Sequence, residues 1–505
     1  MNVFAVFKFP VRERLTAGPA LFAALAGVIG VACLAFGERV EVNEGLGWDG
    51  VIYARWVRDF HQEIFVNKVD TYYVQRILPA AVVHYGLRAC WAPLNDANIM
   101  RAFGLLSVAL LGAMGGLWGA IGRELKISQR GQWLGFLALF CNYVVLKHSF
   151  YVPVTTDVCA YAIGLAMLYC YLTDRRIGLI ALTLAGAFTW PLAVYVGIAL
   201  LLFPRSESAA GNVNDKRPII LIAIGSVFSF FAIHYEAVLG PQGQAWLGDA
   251  QYFDPVRSLV NLSSAVSAIY LFLGAAVLCS SSRLLDWRTY ITPARLGWTA
   301  LTLIALASVR QWQHAWSNGV QFMGVRDMLE NTALTTAAKP GVFLVTHAAY
   351  YGPFFLLALF LWRPVSNLIR SNGVGLSLAV GMGLVLTLNS QSRYVINIFV
   401  MVIPFVAKAT DTLRWRAPQI GLLAGLSLLA SKVWLTTNVA PFTGKLLEFP
   451  DQLLFMTHGP WISTEMYLLQ GAVMMGSGYA IWRVCLQSKP AAIIQVEPRQ
   501  ARVAA

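Results

Sequence analysis

The chain has 505 residues, of which 57% are hydrophobic and 12% charged, and its formal net charge is +13. Water-soluble domains carry about a quarter charged residues, so this composition excludes an ordinary soluble enzyme. The positive charge would suit a nucleic-acid partner, but it is not gathered on one face. Arg123/Lys126/Arg130, Arg175/Arg176, Lys216/Arg217, Arg283/Arg288, Arg363/Arg370 and Arg414/Arg416 fall on alternate connections between apolar runs. That alternation follows the positive-inside rule of polytopic membrane proteins. It implies contact with anionic membrane lipids and no nucleic acid.

In chain order, a basic start (Lys8, Arg12, Arg14) precedes the apolar run Gly18 to Gly37. No small-residue cleavage site follows it, so it reads as a retained first span. A hydrocarbon core of about 30 Å asks for about twenty apolar residues. Full spans are predicted at 18–37, 98–121, 131–150, 156–172, 219–238, 256–280, 296–310, 341–362, 373–388, 394–410, 418–436 and 464–484. An even count places both termini in the cytoplasm.

The predicted fold class is therefore all-α: a polytopic membrane protein with about 12 transmembrane helices plus one re-entrant helical hairpin. The hairpin is residues 177–203, apolar throughout but flanked by basic clusters that both belong to the cytoplasmic side. Thr189-Trp190-Pro191 lies at its middle, where proline interrupts the helical hydrogen-bond ladder. One long kinked helix is the competing reading.

The longest outer segment, 38–97, exceeds what a connector needs. Within it, Gly50 to Phe65 reads as an amphipathic helix with the stripe Ile52, Trp56, Phe60, Ile64, expected to lie in the membrane interface. A second short helix is expected from Leu78 to Leu87. Further outer segments are 239–255, 311–340 and 437–463. The chain divides into residues 1–410, carrying the first loop and every motif below, the last spans over 411–487, and a polar tail, 488–505, expected to be disordered in the cytoplasm. The seven cysteines lie mostly in apolar runs and form no disulfide or zinc pattern.

Four places carry chemistry. Gly47-Trp48-Asp49-Gly50-Val51-Ile52-Tyr53 puts a carboxylate at a helix start just beyond the first span. Such a carboxylate suits a base, although Asp is also a common N-cap. Asp70-Thr71-Tyr72-Tyr73-Val74-Gln75-Arg76-Ile77-Leu78-Pro79 holds Arg76 against an apolar boundary, as an anchor or as a phosphate ligand. Lys147-His148 and Val154-Thr155-Thr156-Asp157 flank the connection between the third and fourth spans, with either threonine placed to cap the helix. Asn389-Ser390-Gln391-Ser392-Arg393-Tyr394 is a tight turn in which Arg393 approaches the hydrocarbon, which is costly unless the charge is matched.

The order of these motifs resembles the GT-C superfamily of membrane glycosyltransferases, which take sugars from polyprenyl-phosphate carriers. More narrowly, it is similar to bacterial members with Asp-Gly-x-x-Tyr followed by Gln-Arg-Ile-Leu-Pro. The resemblance runs from about residue 40 to about 410 and implies a hexosyl- or pentosyltransferase with these interfacial helices in its first periplasmic loop. Asp49 matches the general base acting on an acceptor hydroxyl, and Asp157 the second acidic residue, orienting the acceptor or a metal. Arg393 and Tyr394 match the residues that contact the carrier phosphate, with Arg76 as a further polar lining residue. Tyr53, Asp70 and Lys147 complete the substrate-binding candidates.

The implied partners are a lipid-linked sugar donor, a glycan, lipid or protein hydroxyl acceptor, and membrane lipids. The implied location is a bacterial inner membrane with the site facing the periplasm. A divalent metal is compatible with these residues but not required by them. Gln391 stands where related sequences often carry Glu, and Trp190-Pro191 replaces a charged residue often found at the hairpin tip. An O-antigen-type polymerase or ligase, and a transporter or flippase of lipid-linked sugars, are the alternatives.

Overall fold

A computed structural model describes residues 18–205, 217–240, 257–279, 292–319, 325–413, 415–438 and 462–487. The basic start, the tail from 488, and most of the outer segments 239–255 and 437–463 lie outside the described residues. Among the described residues every regular element is helical; the only pairing of extended backbone is one isolated bridge between Val69 and Ser317.

Among the described residues five helices are long and apolar enough to cross a membrane: Pro19–Phe36, Asp96–Glu124, Ile219–Val238, Val260–Cys279 and Ser392–Thr410. A sixth span results if Gln129–Phe140 and Val144–Tyr151, bent by 44° at their junction, count together. The chain is a helical integral membrane protein.

Several predicted spans are shorter or broken. The run 341–362 divides at Gly352 (φ 74°), and Pro353 starts the second piece, so helices Val342–Tyr351 and Pro353–Phe360 replace one continuous rod. The run 373–388 holds only the 13-residue helix Val374–Leu386.

Residues 177–203 form two helices, Arg176–Ala187 and Leu192–Leu202. They fold back on each other. A methyl group added at Gly197 would collide with the Thr183 hydroxyl, and one at Gly186 would sit 2.6 Å from the Ala193 side chain. In a continuous helix, residues 183 and 197 would be about 21 Å apart. The kinked single helix is therefore excluded, and Phe188 to Pro191 form the tip.

The first loop makes its own small core. Helix Gly50–Arg58 ends at Asp59, whose backbone (φ −139°, ψ 72°) leaves the helical region, and a wide turn, Gln62–Val66, follows. The predicted uninterrupted helix to Phe65 is corrected accordingly. The stripe is real, but Trp56, Phe60 and Ile64 are buried against Val74, Ile77, Ala80 and Val83 instead of facing lipid. The second helix runs over Ile77–Ala89. His84 Nδ1 donates to the Val57 carbonyl at 2.6 Å and ties the two helices together. That burial, worth about 1.5–3 kcal/mol per large side chain, fixes the loop against the membrane helices.

Candidate functional site

Asp49 owes its position to two glycines. Gly47 has φ +76°, and a side chain there would sit 2.7 Å from Val152; one on Gly50 would sit 3.1 Å from Val154. The loop is thereby pressed onto Val152–Val154, the strip that leads to Asp157. Asp49 occupies the N-cap position of helix Gly50–Arg58, but its side chain makes no cap hydrogen bond. Capping therefore does not explain the residue. Its carboxylate is half-buried, within electrostatic reach of Tyr53, Tyr73, Arg393 and Tyr394. Burial, reinforced by the Asp49 charge, pushes the Tyr73 hydroxyl up to about 12, and Tyr53 is also raised chiefly by burial. Neither phenol is ionised near neutral pH.

Asp157 begins helix Asp157–Leu172 and is fully buried. Arg393 grips it with one edge of the guanidinium, Nε to Oδ1 at 2.7 Å and a terminal nitrogen to Oδ2 at 2.8 Å. Thr156 precedes the helix without capping it. The turn carrying Arg393 is braced from below. His347 Nε2 donates to the Thr387 carbonyl (2.7 Å), so in the neutral ring Nδ1 accepts from the Ser392 hydroxyl (2.8 Å). Tyr351 donates to the Ser392 carbonyl (2.6 Å), and Asn389 accepts from the Gln391 amide (2.8 Å). Buried polar groups paired this way specify one geometry.

Arg76 is 4% exposed. Its guanidinium lies over the ring of Tyr72 (4.2 Å) and over that of Trp190 (4.8 Å) at the hairpin tip. The Leu78 amide donates to the Phe188 carbonyl at 2.9 Å, which locks the loop to that tip. Arg76 Nε has no hydrogen-bond partner, and no ion pair engages the side chain among the described residues.

A cavity of about 430 Å³ opens beside it, lined by Thr71, Tyr72, Gln75, Arg76, Trp190, Pro191, Leu192, Tyr195, Arg310, Met328, Met382, Val385, Leu386 and Tyr394. A second cavity of about 290 Å³ lies across helix Val374–Leu386, lined by Tyr270, Trp362, Gly383, Leu384, Phe399 and other uncharged groups. Having no charged lining, it offers nothing to hold an anion.

The structure thus brings together Asp49, Tyr53, Arg76, Asp157, Arg393 and Tyr394. Asp70 adjoins them as the N-cap of the short helix Thr71–Val74, accepting from the Tyr72 amide at 2.7 Å. Lys147 is engaged elsewhere: its ammonium reaches Glu38 (2.5 Å) and the Leu435 carbonyl (2.9 Å). Glu38 also accepts from the Thr437 and Asn438 amides, so this pair clasps the start of the first loop to residues 435–438.

Trp190 and Arg310 join the cavity without having been singled out as ligands by sequence. A Trp-Pro pair at a hairpin tip and an Arg at a predicted span end were the signals available. No group of three His, Cys, Asp or Glu side chains suited to a metal occurs among the described residues.

Comparison with protein-family models, curated proteins and solved structures yields no match. Functional assignment therefore rests on the residues themselves.

Proposed function

We propose that this protein is a membrane glycosyltransferase of the GT-C type. It moves a sugar from a polyprenyl-phosphate carrier to a hydroxyl acceptor, with inversion at the anomeric carbon. In this reading about twelve spans and the re-entrant hairpin place both termini in the cytoplasm of a bacterial inner membrane, with the site facing the periplasm.

The observation that carries the proposal is the gathering of two complementary groups around Tyr53, whose hydroxyl feels the charge of both Asp49 and Arg76; Arg76 lines the larger cavity. Asp49 is a carboxylate without a capping bond, and Arg76 is a buried guanidinium without an ion-pair partner among the described residues. A sugar on a lipid phosphate already has its leaving group. The protein has only to remove a proton from the attacking alcohol and to stabilise the departing phosphate. A positioned general base contributes about 10²–10⁴-fold, and cationic stabilisation of the leaving group supplies the remainder without a covalent intermediate.

In sequence, Asp49 takes the acceptor hydroxyl proton as its oxygen bonds to C1. The C1–O bond to the phosphate breaks in the same step, and its electrons pass to the lipid phosphate. Asp157, held by Arg393, shapes the acceptor side of the site. Because the cavity draws its wall from the last turns of helix Val374–Leu386 and from Tyr394 beyond it, the reading favours surface transfer over transport through the helix bundle.

The test is sugar transfer in membranes containing the full chain, supplied with radiolabelled polyprenyl-phosphate sugars. Asp49→Asn is expected to abolish transfer at unchanged expression. Full activity in that variant overturns the mechanism.

A further inference from the structure

We propose that Arg76, and not Arg393, receives the anionic group of the ligand, and that the ligand is a phosphate ester carried on a hydrocarbon chain. The claim deepens the reading above by reassigning the phosphate site, and its source of phosphate rests on that reading.

The two arginines differ in what already satisfies them. Arg393 presents its Nε and terminal-nitrogen edge to Asp157 in a bidentate pair. That pair is locally neutral: the charge of Arg393 is already matched by a fully buried carboxylate, whose desolvation it offsets. Arg76 is in the opposite state. It is almost wholly buried, it is charged at any accessible pH, and the groups nearest its face are the rings of Tyr72 and Trp190. Aromatic faces attract a cation, but they offer no acceptor to its N–H groups, and Nε is left without one. Asp157 feels the Arg76 charge, but its carboxylate is already paired with Arg393. A buried cation resting on two rings, with no carboxylate hydrogen-bonded to it among the described residues, is completed by a ligand that brings an anion.

The cavity specifies what else the ligand carries. Its charged lining residues are Arg76 and Arg310, with no carboxylate among them. The remainder of the wall includes Leu192, Met382 and Leu386, which accept hydrocarbon and reject a free hydrated ion. At about 430 Å³ it falls in the range of sites that enclose a headgroup and the first part of a chain. Trp190 acts here as a positioning residue. From the hairpin tip its ring lies 4.8 Å from the guanidinium and limits where that group can sit.

The test uses the full chain in nanodiscs and measures binding of undecaprenyl phosphate, undecaprenol and inorganic phosphate. Wild type is expected to prefer the lipid phosphate over the lipid alcohol by at least about tenfold. Arg76→Gln should erase that preference. The double variant Asp157→Asn/Arg393→Gln, which removes both charges of the pair together, should keep it within about threefold. Trp190→Leu should weaken lipid-phosphate binding, and Trp190→Phe should restore most of it.

An unchanged preference in folded Arg76→Gln overturns the proposal, as does loss of preference in a folded double variant. Inorganic phosphate binding as tightly as the lipid overturns the lipid-borne part. Arg76-dependent binding without sugar transfer from any donor would instead sink the glycosyltransferase reading and leave the anion site standing.

Discussion

Arg393 and Asp157 are 236 residues apart in sequence, yet they form a two-pronged ion pair with both contacts below 3 Å. The pair joins the start of helix Asp157–Leu172 to the turn before helix Ile396–Thr410, which pack together along their length. Removing one partner strands a buried charge. Arg393→Ala or Asp157→Ala is expected to destabilise the protein by about 3–5 kcal/mol. The double variant Asp157→Asn/Arg393→Gln should cost less than the two single losses combined. Thermal unfolding of the purified protein, read as a double-mutant cycle, checks this; additive losses would mean that the two groups act separately.

Asp49 contrasts with that pair because its side chain makes no structural bond. Asp49→Asn should leave stability within about 0.5 kcal/mol of wild type while transfer falls by about 10²–10⁴-fold. Unfolding and transfer measured on one preparation separate the two effects. A large loss of stability would assign Asp49 a structural role.

Gly47 holds the loop in a left-handed conformation, 2.7 Å from Val152 by the position of its missing side chain. Gly47→Ala combines backbone strain with a clash and should cost about 1–3 kcal/mol. It should also lower transfer, because Asp49 moves with the loop. The measurement is transfer rate against thermal stability across Gly47→Ala and Gly47→Asn; Asn tolerates positive φ better and should lose less of that backbone term.

The clasp between Glu38 and Lys147 gives a pH signature. Burial alone would raise the Glu38 carboxyl, but the hydrogen bond from Lys147 and those from the Asn438 and Thr437 amides outweigh it and hold the value below the ordinary one. A folded-state value below that of the unfolded chain means that the unfolded chain binds more protons, so stability rises with pH. The contribution is complete above about pH 4.3, the ordinary glutamate value, and is lost as pH falls through the lower folded value. Melting temperature followed from pH 7 to pH 3 should therefore drop more steeply in wild type than in Glu38→Gln. Parallel curves would show that the clasp does not titrate.

The hairpin predicts a cross-link. Thr183→Cys with Gly197→Cys should oxidise to a disulfide in membranes, because those positions face each other across the two helices. A single helix through 177–203 would hold them about 21 Å apart, far beyond disulfide reach. The readout is protease cleavage at the tip followed by non-reducing electrophoresis.

Much of this protein follows from local sequence. Apolar runs marked the long helices, because a segment of about twenty apolar residues has few other places to go. Thr189-Trp190-Pro191 marked the hairpin tip, because proline cannot continue the ladder. Asp49, Arg76, Asp157 and Arg393 stood out as charges close to apolar boundaries. What no local pattern encodes is which of those charges meets which. Arg393 could have faced a ligand, yet long-range packing set it on Asp157 and left Arg76 against the rings of Tyr72 and Trp190. Lys147, adjacent in sequence to the same connection, was drawn to Glu38 instead. The stripe Trp56, Phe60, Ile64 had the period of a membrane-surface helix, and only the fold supplied the protein core that covers it. Hydropathy and helix-breaking residues act over a few turns of chain, so sequence alone determined the class of elements. Partner choice is set by distances between segments hundreds of residues apart, and only the tertiary structure decided it.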